Sequence, residues 1–367
     1  MSEVRFGSCG YTVAPGLPAP QKPATADAAE ATEVEYVRQG PIGRIILNRP
    51  KALNALTTSM VHLLHEALDE WESAPGSAVV LESSSPKAFC AGGDIRQIRQ
   101  NTVDGAHHES EEFFSSEYRL NARLAALSTP VVSLIDGICM GGGMGLSVHG
   151  TFRVVTDKAM LAMPETAIGF FPDVGGSYFL SRLPGALGTY LGLTGYRMNA
   201  ADAMYTGLAT HCVSDVGDVV RALCEVPQWS VDEVLRALTP DGPTEQAKLA
   251  EHRTAIDWCF GAPTVAEIRT RLMTDGTTWA QETLQTLAEM SPQSLEVTLA
   301  AITAGKQQSL ELCLQMELGI ATVLARTADF VEGVRAGLVD KDRSPKWADT
   351  QAGDFDYADA GLWNRLS

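Results

Sequence analysis

The chain has 367 residues, of which 45% are hydrophobic and 20% are charged, a balance typical of a soluble globular protein with a large core. Its formal net charge is -17, because 45 acidic residues outnumber 28 basic ones. Proteins that bind the phosphates of nucleic acid usually have the opposite balance, which excludes a nucleic-acid partner as the first interpretation. Any anionic ligand must instead bind at a local basic cluster.

The seven cysteines, an odd number without any C-x-x-C pair, indicate free thiols in a reducing compartment. No stretch reaches the roughly 18 consecutive apolar residues that a membrane span needs. The N-terminus has no apolar signal core, and it has too few arginines and too many acids for a typical transit peptide. These features predict a cytoplasmic location. His149 and His211 are isolated, and no metal-ligand spacing occurs, so no metal is expected.

The first part of the chain alternates between strands and helices. Residues 1–31 are rich in Pro, Ala, Gly and Thr and are predicted to be a disordered lead. The elements predicted after it are strands at 33–38 and 44–47 joined as a hairpin, a helix from about Thr58, a strand at 78–81, a helix at 109–123, and strands at 131–135 and 153–155. Strands that alternate with crossover helices predict an α/β fold.

The pattern becomes helical from about Leu180. Amphipathic helices are expected around 245–259, 265–272, 279–290, 294–304 and 310–324. The predicted organisation is a lead (1–31), an α/β core (32–210), and an α-helical C-terminal region (211–367) that covers the site or forms oligomer contacts. No internal repeat divides the core.

Two glycine-rich turns follow buried strands of the α/β part. The first is Lys87–Ile95 (KAFCAGGDI), and the second contains Gly141–Gly143. Glycine lets the backbone approach a ligand closely, and a helix start leaves N–H groups free to bind a developing negative charge. The two turns predict a site that polarises a carbonyl group. Cys90 and Cys139 lie near them, but without a nearby His they are interpreted as buried packing residues.

Two carboxylates, Glu165 and Asp173, follow the second glycine turn. They are candidates for acid–base or nucleophilic chemistry on one bound group. Each also has a structural interpretation. Glu165 follows Pro164, so its carboxylate could satisfy the N-terminus of a helix. Asp173 could cap a helix at 178–183.

These segments resemble the crotonase, or enoyl-CoA hydratase/isomerase, superfamily. The resemblance runs from about Glu33 to the C-terminus and is carried by LNRPKALNAL, the Lys87–Ile95 loop, Asp136-Gly137 with the glycine triplet, and Pro164-Glu165. Two further segments, FRVVTDKAMLAMPETAIGFFPDVGGSYFL and DFVEGVRAGLVDKDRSPKW, are most similar to the 3-hydroxyisobutyryl-CoA hydrolases of that superfamily. The resemblance implies a crotonase (ClpP-like) spiral of ββα units with an α-helical C-terminal part.

The resemblance also implies roles for single residues. The backbone N–H groups of Gly93 and Gly142 would form an oxyanion hole around a thioester carbonyl, and Glu165 and Asp173 would lie at the reacting carbon. Glu117 matches a substrate-contacting glutamate of the hydrolases, although a solvated helix face explains it nearly as well. The residues implied in CoA binding are Arg49, Lys51, Ala52, Leu53, Ala91, Asp94 and Ile95, and each of the two cations could equally be an ordinary surface residue.

One position separates the reactions of the superfamily. Hydratases usually carry one glutamate two residues past the glycine triplet and a second at the position of Glu165, and the pair adds water across a C=C bond. Here the first position is Gly145, which has no side chain to act. The hydrolase subgroup instead keeps Glu165 and adds Asp173, as this chain does. The resemblance therefore favours a hydrolase over a hydratase or isomerase.

The implied enzyme releases CoA from a short 3-hydroxyacyl-CoA, with 3-hydroxyisobutyryl-CoA of valine degradation as the leading substrate. Glu165 would either attack the carbonyl to form a mixed anhydride or activate water, and Asp173 would orient the 3-hydroxyl or assist proton transfer. CoA is part of the substrate, so no cofactor and no membrane partner is expected. A hydratase or isomerase, a non-catalytic acyl-CoA-binding protein, and a monomer or trimer-based oligomer remain open. Candidates for the acyl pocket are Phe170, Phe171 and Met144.

Overall fold

A computed structural model of the chain describes residues 32–239 and 242–348. The predicted disordered lead, residues 1–31, lies outside these ranges, as does the chain after residue 348. The described residues belong to one compact unit that begins at Thr32.

The strands of the described ranges form two sheets. Their bounds are β1 Val34–Gln39, β2 Ile42–Leu47, β3 Ala78–Ser83, β4 Ala88–Cys90, β5 Val131–Ile135, β6 Ile138–Met140, β7 Phe152–Val155, β8 Met160–Ala162 and β9 His211–Cys212. The six-stranded sheet has the order β1-β2-β3-β5-β7-β9, and the three-stranded sheet has the order β4-β6-β8. β1 and β2 are antiparallel, and the other neighbours pair in parallel.

The strand order shows a repeating unit. The pairs β3–β4, β5–β6 and β7–β8 each give their first strand to the larger sheet and their second strand to the smaller one. Such a repeat needs a sharp bend between the two strands of each pair. The bend between β5 and β6 contains Gly137, whose φ of 113° is a conformation that favours glycine.

The helices surround these sheets and make up the whole described C-terminal part after β9. Their bounds are α1 Thr58–Ser73, α2 Ile95–Val103, α3 His107–Ala126, α4 Gly142–Val148, α5 Gly176–Phe179, α6 Leu187–Thr194, α7 Ala200–Thr206, α8 Val216–Glu225, α9 Val231–Ala237, α10 Lys248–Glu251, α11 Arg253–Phe260, α12 Val265–Asp275, α13 Thr278–Glu289, α14 Pro292–Gly305, α15 Leu310–Leu324 and α16 Ala328–Val334. Short 3₁₀ helices span Pro50–Ala52, Glu165–Ile168 and Leu180–Arg182, and a π-helix spans Arg335–Val339.

Hydrophobic periodicity explains most of these elements. α1 begins at the Thr57 cap, whose hydroxyl accepts a hydrogen bond of 3.0 Å from the backbone of Met60, and it buries a stripe that ends at Trp71. β5 is buried on both faces: Val131 and Ile135 lie in the main core, and Val132 and Leu134 lie in a second core under α8 and α9.

None of the described helices combines the length and apolarity needed to cross a bilayer.

The helix predicted at 245–259 is wrong, because the structure has two helices there, α10 and α11. His252, at φ -103° and ψ 5°, separates them. A tertiary contact fixes the first one: the backbone N–H of Leu249 donates a buried hydrogen bond of 2.9 Å to Asp202 Oδ1 of α7. The predicted domain boundary at residue 210 stays a prediction.

The C-terminal helices fold back over the α/β part. α15 packs against α3, and α16 packs against α2 and the 3₁₀ helix that begins at Glu165. Arg99 of α2 donates to the carbonyl of Val331 at 2.9 Å, and Thr102 donates to the carbonyl of Ala325 at 2.8 Å. The C-terminal part therefore packs against α2, which follows the first glycine turn, and against the 3₁₀ helix of Glu165.

Candidate active site

The two glycine turns lie side by side. Gly92 has φ 105° and Gly141 has φ 49°, and both conformations favour glycine. A Cβ built on Gly142 would lie 3.3 Å from the backbone nitrogen of Gly93, and one built on Gly92 would lie 3.7 Å from the nitrogen of Gly142. The packing of the turns thus brings two backbone amides from distant parts of the chain to one place.

Neither of these amides donates a hydrogen bond to another described residue. Gly142 is the first residue of α4, so its N–H has no carbonyl partner within that helix. Gly93 lies in an isolated bridge with Leu56, in which the neighbours Gly92 and Asp94 make the hydrogen bonds. Two unpaired N–H groups at a helix start can bind a carbonyl oxygen that gains negative charge.

A second loop holds the first glycine turn in place. Leu56 donates to the carbonyl of Gly92 and accepts from the N–H of Asp94, both at 2.8 Å, and Ala91 donates to the carbonyl of Leu53 at 3.0 Å. The Asn54 side chain, at the centre of this loop, is fully buried. The residues implied in CoA binding lie in these two loops: Arg49, Lys51, Ala52, Leu53, Ala91, Asp94 and Ile95.

The two cations of this set differ in their surroundings. Arg49 forms ion pairs with Glu33 at 3.2 Å and with Asp94 at 3.0 Å, and it donates to the carbonyl of Ala55 at 2.9 Å. Its guanidinium group therefore joins the two loops to the start of β1. Lys51 is exposed and forms no ion pair within the described residues, so its ammonium group is free to meet a phosphate.

Glu165 lies against the second glycine turn. It directly follows Pro164 and opens the 3₁₀ helix after β8, and a Cβ built on Gly141 would lie 2.8 Å from its Oε1 atom. The residue is 7% exposed, and its Oε2 atom has no hydrogen-bond partner among the described residues. Burial, and then the charges of Asp173 and Glu117, raise the pKa of Glu165 well above the usual glutamate range. One carboxylate oxygen thus remains free for chemistry.

Asp173 does not cap a helix with its side chain. α5 begins at Gly176 without any side-chain cap, so the capping interpretation is wrong. Instead, the hydroxyl of Tyr118 on α3 donates a hydrogen bond of 2.6 Å to Asp173 Oδ2. Burial raises the pKa of Asp173 to about 6, and the hydrogen bond from Tyr118 opposes that rise. The Tyr118 hydroxyl therefore favours the ionised form of Asp173, which burial disfavours.

Glu117 precedes Tyr118 on α3 and is 2% exposed, so the interpretation as part of a solvated helix face is wrong. Its Oε1 atom has no hydrogen-bond partner in the described part of the chain, and a Cβ built on Gly142 would overlap that atom. Burial, and then the charge of Asp173, raise the pKa of Glu117 well above the usual range. Three buried carboxylates therefore share one region beside the two free amides.

Two residues outside the predicted set hold the turn that carries Asp173. Glu317 of α15 accepts hydrogen bonds from the N–H groups of Gly175 at 2.6 Å and Ser177 at 2.8 Å, and also from the Ser177 hydroxyl. His149 contacts the carbonyl of Val174 through Nε2 at 2.7 Å. Burial lowers the pKa of His149 to about 4, so the neutral ring donates this hydrogen bond.

No space is left for a side chain at residue 145. A Cβ built on Gly145 would lie 2.6 Å from the Cβ of Val174 and 3.0 Å from Nδ2 of Asn121. The Val174 backbone has φ 52°, an uncommon conformation for a β-branched residue. Val174 therefore occupies the place into which a side chain at residue 145 would project. The contacts of Glu317 and His149 with the same turn hold Val174 there.

The C-terminal part also fixes the turn after Glu165. A Cβ built on Gly169 would overlap the carbonyl of Asp329 in α16. Asp329, 1% exposed, accepts hydrogen bonds from the Ser291 hydroxyl at 2.5 Å and from the N–H of Ala348 at 2.7 Å. The segment that begins at Asp329, which carried part of the resemblance, thus supports the backbone around Glu165.

The two cysteines near the glycine turns are buried thiols. Cys90 and Cys139 are fully buried, and burial raises the pKa of both thiols, that of Cys139 to about 12. No group of three His, Cys, Asp or Glu residues suited to a metal ion occurs among the described residues.

Comparison with known proteins identifies the family of this fold and site. The sequence model described as enoyl-CoA hydratase/isomerase matches residues 42–360. The chain belongs to the enoyl-CoA hydratase/isomerase family. The crotonase-type fold that the resemblance implied is confirmed.

Relatives of this chain include proteins named "3-hydroxyisobutyryl-CoA hydrolase, mitochondrial". The protein of that name from Homo sapiens is 44% identical over 330 residues, which cover 88% of this chain and 85% of that protein. The one from Danio rerio is 44% identical over 327 residues, with coverages of 86% and 85%. The chain thus shares most of its length with these hydrolases.

Solved structures of family members superpose closely. A carnitinyl-CoA dehydratase from Mycobacterium thermoresistibile has a TM-score of 0.82 at 40% identity and covers 91% of this chain and 96% of its own. An enoyl-CoA hydratase from Rhodobacter sphaeroides 2.4.1 has a TM-score of 0.80 at 38% identity, with coverages of 90% and 96%. The names of these relatives divide between thioester hydrolysis and the addition or removal of water.

The structure brings together the four residues predicted at the carbonyl and the reacting carbon, Gly93, Gly142, Glu165 and Asp173. Glu117, which was predicted to contact the substrate, lies beside them. The candidates for the acyl pocket, Phe170, Phe171 and Met144, are all buried, and Phe170 stacks on Phe114 of α3 with ring centroids 5.6 Å apart.

Sequence reasoning missed Tyr118, Asn121, His149 and Glu317. The helical spacing of Asn121, four residues after Glu117, was a usable signal, because residues four apart share one helix face. Glu317 had none, since it lies 142 residues from the amide of Gly175 that it binds.

Proposed function

We propose that this protein is a thioester hydrolase that releases CoA from a short 3-hydroxyacyl-CoA, and that 3-hydroxyisobutyryl-CoA is its substrate in valine degradation. The observation that carries the proposal is that three buried carboxylates lie beside the amides of Gly93 and Gly142. In addition, position 145 has no room for the second acid that hydration would need. The hydrolase names of relatives 44% identical to this chain support it.

The first step of the proposed reaction is polarisation of the thioester carbonyl. Its oxygen would accept hydrogen bonds from the N–H groups of Gly93 and Gly142, which lie side by side. Amides fixed in this way stabilise charge on the oxygen of a tetrahedral intermediate without reorganisation. A single donor of this kind typically contributes a factor of about 10²–10³ to the rate.

Glu165 is the proposed attacking or activating group. Its unpartnered Oε2 atom could add to the carbonyl carbon, giving a mixed anhydride that water then hydrolyses. Alternatively, it could take a proton from a water that attacks the same carbon. Its raised pKa makes the carboxylate, once ionised, a stronger base than an exposed glutamate, which suits the removal of a proton from water.

Asp173 is the proposed partner of the departing CoA thiolate and of the 3-hydroxyl group. With a pKa of about 6, its carboxyl can exchange a proton near neutral pH. Glu117 would contact the substrate beside Gly142. The CoA portion would bind along the loops that contain Lys51 and Ala91, where the exposed ammonium group of Lys51 meets phosphate.

An enoyl-CoA hydratase or dehydratase is the second candidate, because two solved structures that superpose on this chain carry such names. It requires two acids placed for the addition of water to a C=C bond. Position 145 cannot supply one, since Val174 and Asn121 occupy its surroundings. Any hydration would need Glu117 or Asp173 as the second acid.

Two assays on the purified full-length chain separate these functions. Free thiol released from 3-hydroxyisobutyryl-CoA would support the hydrolase, whereas loss of the conjugated absorbance of crotonyl-CoA without thiol release would support the hydratase. Glu165→Gln and Asp173→Asn should each lower kcat by about 10²–10⁴ if their carboxylates act on substrate. A non-catalytic acyl-CoA-binding protein would instead release no thiol, and both variants would bind acyl-CoA as tightly as wild type.

A cytoplasmic location and a monomeric or trimer-based assembly belong to the same proposal. The relatives named above are mitochondrial proteins by name, so a mitochondrial location is the alternative outcome. Fractionation of cells that express the native chain tests the location, and light scattering of the purified protein tests the assembly.

A further inference from the structure

Asn121 is a buried polar residue that the fold leaves unused. Its side chain is fully buried, and neither Nδ2 nor Oδ1 has a hydrogen-bond partner among the described residues. An asparagine amide carries two donors and an acceptor oxygen, and leaving all of them unpaired in a protein interior is costly and rare. A polar group of a bound ligand would satisfy the amide of Asn121.

The position of Asn121 relates it to the candidate site. It lies one helical turn after Glu117 on α3, so the two side chains share a face of that helix. Glu117 meets α4 at Gly142, and Asn121 meets it at Gly145, because a Cβ built there would lie 3.0 Å from Nδ2 of Asn121. Gly145 lies three residues past Gly142, which is about 4.5 Å along the helix axis.

This spacing suits the acyl part of the proposed substrate. If the carbonyl oxygen binds the amide of Gly142, the oxygen of the 3-hydroxyl group, several bonds along the acyl chain, can reach Asn121 across a separation of about 4.5 Å. The ionisable groups of the site, Glu117, Glu165 and Asp173, only accept hydrogen bonds when they are ionised. An uncharged amide adds a donor at the same place, and its oxygen can accept the hydroxyl proton.

We propose that Asn121 binds the 3-hydroxyl group of the acyl chain through its side-chain amide and thereby makes the enzyme prefer hydroxylated over plain short acyl groups. The inference rests on the proposed thioesterase function and assigns its substrate preference. A site built to hydrogen-bond a hydroxyl rejects an analogue that lacks it, because the buried polar groups are then left unpaired.

The test compares two substrates that differ by one hydroxyl, 3-hydroxyisobutyryl-CoA and isobutyryl-CoA, in wild type and in Asn121→Leu. The variant should lower the ratio of their kcat/KM values by about 10–100-fold, with isobutyryl-CoA changed by less than about 3-fold. Its melting temperature should stay equal or rise, because an unpaired amide is removed. A purely structural Asn121 predicts the opposite: a lower melting temperature and an unchanged ratio.

A matched control is Thr298→Val on α14, which removes a different buried polar group, a hydroxyl without a partner among the described residues, without a change in shape. It should leave the substrate ratio at the wild-type value. If Asn121→Leu does not fold, Asn121→Ser keeps a small polar group and should lower the ratio by a smaller factor. A ratio within about 2-fold of wild type in a folded Asn121 variant overturns the inference.

Binding separates this inference from the proposed function. Two non-hydrolysable analogues, in which a CH₂ group replaces the thioester sulfur, carry the same pair of acyl groups. If wild type releases no thiol from either substrate, the hydrolase proposal fails. Calorimetry with the analogues then decides the role of Asn121 alone: wild type should bind the hydroxylated analogue at least about 10-fold more tightly and Asn121→Leu should not, whereas equal affinities in wild type overturn the inference.

Discussion

Tyr118 donates a hydrogen bond of 2.6 Å from its hydroxyl to Oδ2 of Asp173, and this bond joins α3 to the turn that follows Glu165. The donor favours the ionised carboxylate and so opposes the effect of burial on the pKa of Asp173, which nevertheless rises to about 6. The pKa of Asp173, and so the fraction of its ionised form, thus depends on Tyr118 of α3.

Tyr118→Phe should therefore raise the pKa of Asp173 further. If ionised Asp173 is needed, the acid limb of the pH profile of kcat/KM should move to higher pH by roughly one unit, the equivalent of one hydrogen bond to a charged group. At pH 8 the variant should approach the wild-type rate. Thiol release measured from pH 5 to 9 checks this.

The control for Tyr118 is Tyr196→Phe. Tyr196 donates a comparable hydrogen bond of 3.1 Å to Asp202, in the part of the chain that carries α6 and α7. Its removal should leave the pH profile unchanged. An acid limb that stays at the wild-type pH in Tyr118→Phe would contradict the role assigned to Asp173.

Gly142→Ala should lower kcat/KM by about 10²–10³ while the protein stays folded. The new methyl group would overlap Oε1 of Glu117 and lie 3.3 Å from the amide of Gly93, so it would fill the space of the carbonyl oxygen. Gly142 has a helical backbone, and alanine in a helix is favoured by about 0.5–1 kcal/mol. Kinetics and thermal unfolding together separate the two effects.

Gly217→Ala in α8 is the matched control, because a Cβ there would meet only the side chain of Asp215, at 3.1 Å. It makes the same chemical change in another helix and should leave kcat/KM unchanged. Equal activity of the Gly142 and Gly217 variants would remove the argument for an oxyanion hole.

Val174 and Gly145 should show strong energetic coupling. Gly145→Ala places a methyl group 2.6 Å from the Cβ of Val174, and overpacking of this kind costs about 1–3 kcal/mol. Val174→Gly makes room for the methyl group and relieves the positive φ of 52°. Urea unfolding of the four proteins of a double-mutant cycle should show a coupling of at least about 1 kcal/mol, and additive effects would exclude the contact.

The free energy of unfolding should fall as pH rises from 6.5 to 8. Burial raises the pKa of Glu317 to about 8, whereas an unfolded glutamate has a pKa of about 4.3. In this window the folded state binds more protons than the unfolded chain, so each such group lowers stability by up to about 1.4 kcal/mol per pH unit. The raised pKa values of Glu117 and Glu165 act in the same direction.

Urea unfolding at several pH values between 6.5 and 8 measures this slope. Histidine in the unfolded chain titrates near pH 6.5, so the lowered pKa of His149 adds a smaller slope of opposite sign at the lower end of the window. Glu317→Gln should flatten the slope, and Glu311→Gln, an exposed change on the same helix, should not. A stability that increases with pH in wild type would show that these carboxyls are ionised in the folded protein throughout the window.

Much of the fold could be predicted from local sequence. The strand at 131–135 and the helix at 310–324 agree with the structure at both ends, because the hydrophobic period of each matches one element and its neighbours include Pro130 and the capping Ser309. The helix at 245–259 could not be predicted as two pieces. Its interruption accompanies a hydrogen bond from Leu249 to Asp202, 47 residues away.

The sequence by itself determined which chemical groups are present: two glycine turns, Glu165, Asp173 and a residue 145 without a side chain. These are local facts about residue type and spacing. Only the tertiary structure decided that Asp173 meets Tyr118 and that Glu317 holds its turn. The physical reason is that helix packing, rather than local propensity, sets contacts between residues 55 to 142 positions apart. Burial by the same packing gives the acids their raised pKa values.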